Sequence, residues 1–134
     1  MRILLDTNAY SAMKRGHGGV IDLVRRSQQV LLSAVVAGEL LHGFRAGSRF
    51  DDNLREFNAF LEHPMVDFLA VDMQTADRFA RVATALRLAG TPIPTNDVWI
   101  AAHSMQTGAQ LVSFDRHFEQ VAGLALVQPE AAGR

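Results

Sequence analysis

The chain has 134 residues, 49% of them apolar, with 13 basic side chains against 14 acidic ones and no cysteine. That length and apolar content suit one compact domain spanning 1–134, and the missing thiols exclude a disulfide framework, a cysteine nucleophile and any cysteine-ligated zinc or iron–sulfur site. A net charge of −1 gives no bulk attraction to nucleic acid, so any such affinity has to come from local clusters.

The opening MRILLDTNAY has an aspartate at position 6 and lacks the apolar stretch of a secretory signal. Arg2–Asp6 reads as a short buried strand ending in a polar turn, and Val30–Ser33 as another. Val20, Leu23 and Val24 recur at helical spacing between them. The apolar run Val30–Gly38 falls well short of the ~20 residues that a membrane-spanning helix needs, so a cytoplasmic protein without membrane association is expected. Val36, Leu40 and Phe44 mark a helix closed by Gly47, and Leu54, Phe57 and Leu61 mark one over Arg49–Glu62.

Val66–Val71 reads as a third strand. Asp72 can cap a long helix in which Ala76, Phe79, Ala80, Ala83 and Leu86 form one apolar face, with Gly90 as its stop. The segment Gly90–Thr95 carries two prolines and reads as a loop, followed by a helix from about Asn96 to Thr107 capped by Thr95 or Asn96. Gln110–Ser113 and Ala125–Val127 complete the strands, and residues 129–134 read as a loose tail. Strands alternating with helices predict an α/β three-layer sandwich, a mainly parallel central sheet with helices on both faces.

Function is carried by where the acids fall. In open parallel sheets ligands bind at the carboxyl ends of the strands. Asp6 ends the first predicted strand and Asp115 lies just beyond the fourth, so both project toward that rim. Asp97 falls in the first turn of its helix, where the macrodipole favours negative charge; helix capping alone would also account for it. Glu39 lies on or next to an apolar stripe, beside Leu40 and Leu41, where a lone carboxylate costs several kcal/mol without a cation or hydrogen bonds.

Converging carboxylates raise one another's pKa unless a cation sits between them. An all-oxygen set suits Mg2+ or Mn2+, and such an ion can activate water for phosphodiester hydrolysis. Lys14, Arg15, Arg45, Arg49 and Arg116 are candidates to offset phosphate charge.

The stretches LLDTNAY from Leu4, SAVVAGELLHG from Ser33, IPTNDVWIAA from Ile93 and LVSFDRHF from Leu111 together resemble the PIN-domain family, specifically its VapC-type toxins. They run from end to end of the chain in the family's order. The resemblance implies a Mg2+- or Mn2+-dependent endoribonuclease with Asp6, Glu39, Asp97 and Asp115 as its metal-holding catalytic acids. It implies that Asn8, Asn96 and Ser113 support those carboxylates. Ser113 departs from the usual threonine but keeps the hydroxyl. It further implies homodimerisation and inhibition by a cognate antitoxin.

Rival readings fit less of the sequence. A dehalogenase-like phosphatase needs a second acid where Asn8 stands, and a phosphoryl-accepting receiver domain needs a late lysine, whereas the one lysine is Lys14. A metal-free ribonuclease would draw on His17, His42, His63, His103 or His117, which are scattered. Glu39 and His42 form an ExxH pair, but a di-iron bundle needs two such pairs and an all-helical frame. Trp99 reads as packing. A fold retained for binding only would have no need of four intact acids.

Overall fold

The computed structural model describes residues 1–129, so positions 130–134 of the expected tail lie outside the described residues. Its five strands are β1 (Arg2–Leu5), β2 (Gln29–Ser33), β3 (Val66–Leu69), β4 (Gln110–Val112) and β5 (Leu126–Val127). All neighbours pair in parallel, in the order β3-β2-β1-β4-β5. The six helices are α1 (Thr7–Lys14), α2 (Gly18–Arg26), α3 (Ala34–Ala46), α4 (Phe50–Glu62), α5 (Met73–Ala89) and α6 (Thr95–Thr107). No helix among the described residues is long and apolar enough to cross a membrane.

The period-2 alternation of β1 divides the core into two layers. Ile3 and Leu5 face one way, where α1 and α2 supply Ala9, Ala12, Val20 and Leu23. Leu4 faces the other way, toward Val36 and Leu40 of α3, Val82 and Leu86 of α5, and Val98, Ile100 and Ala101 of α6. β4 divides in the same manner, Leu111 toward the second layer and Val112 toward the first. This is the expected three-layer arrangement. The chain builds β1, β2 and β3 outward in one direction, then crosses back to lay β4 and β5 on the other side of β1. The reversal between β1 and β4 opens a crevice at their carboxyl ends.

Local chemistry sets the helix ends. Asp72 and Thr75 form a reciprocal capping box at the start of α5, and Gly90 ends that helix in the left-handed region at φ 72°. β3 stops at Leu69, short of the expected Val71, because its partner β2 ends opposite it at Ser33 and the Ala70 carbonyl is taken by His103. Two expectations change more. Residues 7–14, read only as following a polar turn, form α1, which is capped by the side chain of Asp6 accepting from the Ala9 N–H. The N-cap of α6 is Pro94 without a side-chain cap, in place of Thr95 or Asn96. Pro94 sits at φ −54° and ψ 144°, and the Asn96 amide is turned toward Glu39 instead of back onto the helix.

A buried histidine fastens α6 to the sheet. His103 is 1% exposed; its Nε2–H donates to the Ala70 carbonyl at 3.1 Å, which leaves Nδ1 to accept from the Ser33 hydroxyl at 2.8 Å. Ser33 Oγ in turn accepts from Val35 N–H at the start of α3. Burial holds the His103 pKa below the usual imidazole range, so the folded protein keeps it neutral. An unfolded histidine takes a proton near 6.5 and the folded one does so only at lower pH, so stability is retained above that pH and lost as pH falls below it. His103→Ala should cost about 2–4 kcal/mol in urea unfolding, from lost volume plus two stranded polar groups. The wild-type decline in stability below pH ~6.5 should be correspondingly shallower in that variant. A cost below about 0.5 kcal/mol would mean that the fastening contributes nothing.

Candidate metal centre and nuclease site

The crevice between β1 and β4 collects acids from four separate parts of the chain. Asp6 follows β1 directly. It is 6% exposed, and its carboxylate accepts from Ala9 N–H at 2.8 Å and from the Ser113 hydroxyl. Ser113, fully buried just beyond β4, also accepts from the backbone N–H of Asp115 at 2.9 Å. One hydroxyl therefore orients Asp6 and fixes the turn that carries Asp115.

Asp115 caps a short 3-10 helix, Arg116–Gln120, by accepting from His117 N–H at 2.8 Å. Asp97 stands in the first turn of α6, its side chain 18% exposed, with Oδ2 3.4 Å from His117 Nδ1. The same Nδ1 lies 3.1 Å from Asp115 Oδ1.

Glu39, half-buried on α3, reaches the rim with both oxygens engaged. Oε1 accepts from the Thr7 hydroxyl at 2.5 Å and Oε2 from the Asn96 amide at 3.3 Å. Asn96 thus supports an acid, as Ser113 does. Asn8 is exposed on the first turn of α1, and among the described residues its side chain makes no hydrogen bond to the four acids.

Thr7 and His117 take part in the cluster although the sequence did not single them out for it. Thr7 carries a weak signal as the hydroxyl of the DTN turn. For His117 the only local signal is its place two residues after Asp115.

The electrostatics are those of a crowded anionic site. Asp6 is pushed up to about 6, chiefly by burial; the hydrogen bonds from Ser113 and Ala9 oppose the shift, and the negative charges of Asp97 and Asp115 add to it. Asp97 is raised by burial and, against the hydrogen bond to His117, by the charges of Asp115 and Glu39. A cation among these carboxylates would reverse the repulsive part of both shifts. The donors are mainly carboxylate oxygens, as a hard divalent ion requires. Asp97, Asp115 and His117 each place a donor atom within 4.8 Å of the others.

Two clefts open near the acids, one against Glu39 and the other against the residues that follow Asp115. One, of about 460 Å³, is bordered by Glu39, His42, Asn96 and Trp99. The other, of about 500 Å³, is bordered by Ile93, Arg116 and His117. The Trp99 ring lies stacked on Phe79 with centroids 4.0 Å apart, in keeping with a packing role.

The PIN domain model matches residues 3–124, which takes in every acid of the cluster. The chain belongs to the PIN domain family. Among similar proteins, ribonuclease VapC1 of Haemophilus influenzae is 23% identical over 129 residues, covering 92% of this chain and 95% of that protein. A solved VapBC2 from Rickettsia felis, bound to a DNA fragment from its promoter, superposes with a TM-score of 0.84 at 22% identity, covering 97% of this chain and all of that one. A member of the VapBC family of toxin–antitoxin systems, VapBC-5 from Mycobacterium tuberculosis, superposes with a TM-score of 0.70 at 22% identity and covers 97% and 98% of the two chains.

In this PIN domain the raised Asp6 makes stability depend on pH. A folded aspartate near 6 and an unfolded one near 3.8 mean that the native state binds more protons between those values. Stability of the metal-free protein therefore falls as pH rises through that window. Metal-free Asp6→Asn should unfold less readily than wild type by up to about 2–3 kcal/mol at pH 7, an advantage that fades as pH falls toward 4. Denaturant unfolding in EDTA across that range checks this; a difference that does not vary with pH would place the Asp6 carboxyl in an ordinary solvated environment.

Proposed function

We propose that this chain, as a single domain, is a metal-dependent endoribonuclease and the toxin of a toxin–antitoxin pair. In this reading Asp6, Glu39, Asp97 and Asp115 are the catalytic acids and hold Mg2+ or Mn2+. The observation that carries it is the convergence of these carboxylates at the reversal point of a parallel sheet, with two of them raised in pKa by burial and, to a lesser degree, by one another's charge. Membership of the PIN family, a relative named as a ribonuclease and a structural neighbour named as a toxin–antitoxin member all support it.

When bound there, a divalent cation supplies an activated water and offsets charge on the phosphate oxygens. The chain's own residues do the positioning. Ser113 aims Asp6 and, through the backbone of Asp115, places a second acid beside it. Thr7 and Asn96 aim the two oxygens of Glu39. The clefts beside Glu39 and beside Arg116 and His117 give an RNA strand room near the acids, with Arg116 available to one of its phosphates. The same reading gives the protein a cytoplasmic location, a second copy of itself as partner, and an antitoxin as inhibitor. The VapBC2 neighbour bound to promoter DNA supports a complex of that kind.

Purified protein should cut total RNA into discrete fragments with Mg2+ or Mn2+ and not with EDTA. Asp97→Asn should reduce the rate by more than the ~10–100-fold that loss of a supporting group costs, while Ser113→Ala and Asn96→Ala should fall within that range. Cleavage that survives in EDTA, or in folded Asp97→Asn, would overturn the metal-dependent reading.

A further inference from the structure

His117 is one of five histidines and stands outside the four-acid set. Its Nδ1 lies 3.1 Å from Asp115 Oδ1 and 3.4 Å from Asp97 Oδ2. Donors about 2.1 Å from a common ion are separated by ~3.0 Å at octahedral angles and ~3.4 Å at tetrahedral ones. Nδ1 therefore already stands from both carboxylates at the distances that ligands of one cation keep.

The ring is also held where it is. Asp115 Oδ1 accepts from the backbone N–H of His117 at 2.8 Å, and the next residue, Phe118, is 1% exposed and anchored in the core. The imidazole is thus delivered by a fastened segment, although 52% of its side chain remains exposed.

We infer that His117 is a nitrogen ligand, beside Asp97 and Asp115, of the cation held at this site, and that it biases the site toward Mn2+ over Mg2+. The inference rests on the metal-dependent reading above and assigns a residue outside the four acids. Mg2+ keeps to oxygen donors and waters, whereas transition ions gain from an imidazole. Coordination through Nδ1 requires the neutral ring with its proton on Nε2. The alternative use of the same geometry, an imidazolium acting as counter-ion to the two acids, would leave no nitrogen on the metal.

The full chain loaded with Mn2+ is examined by electron spin-echo spectroscopy, which detects a directly bound 14N. Mn2+ and Mg2+ dissociation constants are measured by calorimetry for wild type, His117→Gln and Asp97→Asn. The expected result is a 14N coupling that is present in wild type and lost in His117→Gln. Mn2+ affinity should fall by about tenfold or more in that variant, while Mg2+ affinity changes by less than about twofold. No 14N coupling in wild type, a coupling that survives in His117→Gln, or equal weakening for both ions overturns the assignment. If wild type binds neither ion, the metal-dependent reading fails and this one with it. If both ions bind and both are lost in Asp97→Asn, that reading stands and only the role of His117 is at stake.

Discussion

A single buried hydroxyl holds the two halves of the sheet in register where the acids meet. Ser113 follows β4, Asp6 follows β1, and the strands pair as far as Leu5 opposite Val112, with Asp6 N–H donating to the Val112 carbonyl. Beyond that point the ladder ends, and the contact between Ser113 and Asp6 takes its place. Without it a nearly buried carboxylate would lose an important hydrogen bond, and the turn carrying Asp115 would lose the acceptor for its backbone N–H. α1 depends on the same carboxylate for its cap. Sheet, helix and 3-10 turn therefore share one small polar knot, and their relative placement sets the spacing of the acids.

That knot works against the folding energy around it. The layers on either side of β1 are dry and apolar, and burial raises the Asp6 carboxyl. Nearby charges of the same sign add to the strain on Asp6 and Asp97. A stability-optimised domain would neutralise one or more of these groups. Here they are braced instead: every one of the four acids has a hydrogen-bond partner or a nearby imidazole, from Ser113, Thr7, Asn96 or His117. Local instability maintained by a rigid surround is the usual physical mark of a site shaped for a ligand.

Most of what depends on short stretches of chain was legible in the sequence. β1 and β2 announced themselves as apolar runs, Gly47 and Gly90 as helix stops, and Asp72 as a cap, because each signal acts within a turn or two. The positions of Asp6 and Asp115 beyond strand ends followed from the same runs. α1 escaped because TNAYSAMK buries Ala9 and Ala12 on one side and Tyr10 on the other, so that its apolar positions, spread over barely two turns, do not form the single Leu/Val stripe that marks the longer helices. Pro94 displaced Thr95 and Asn96 as the cap because Asn96 is committed to a residue 57 positions away. Thr7 with Glu39, and His117 with Asp97, are likewise products of topology. Residue type and local spacing cannot supply such pairings until the strand order is known.

The loop between α5 and α6 has a consequence for ligand affinity. Residues 91–94 hold Pro92 and Pro94, so φ is restricted at two of the four positions before the first turn of α6. The unfolded chain is already narrowed there, and closing the loop during folding removes less freedom than a flexible linker would. Asn96 and Asp97 consequently stand at the rim as part of the folded scaffold, without needing a bound ligand to order the segment. The ordering entropy that would otherwise weaken binding is settled when the domain folds, leaving the site preorganised for whatever charge it receives.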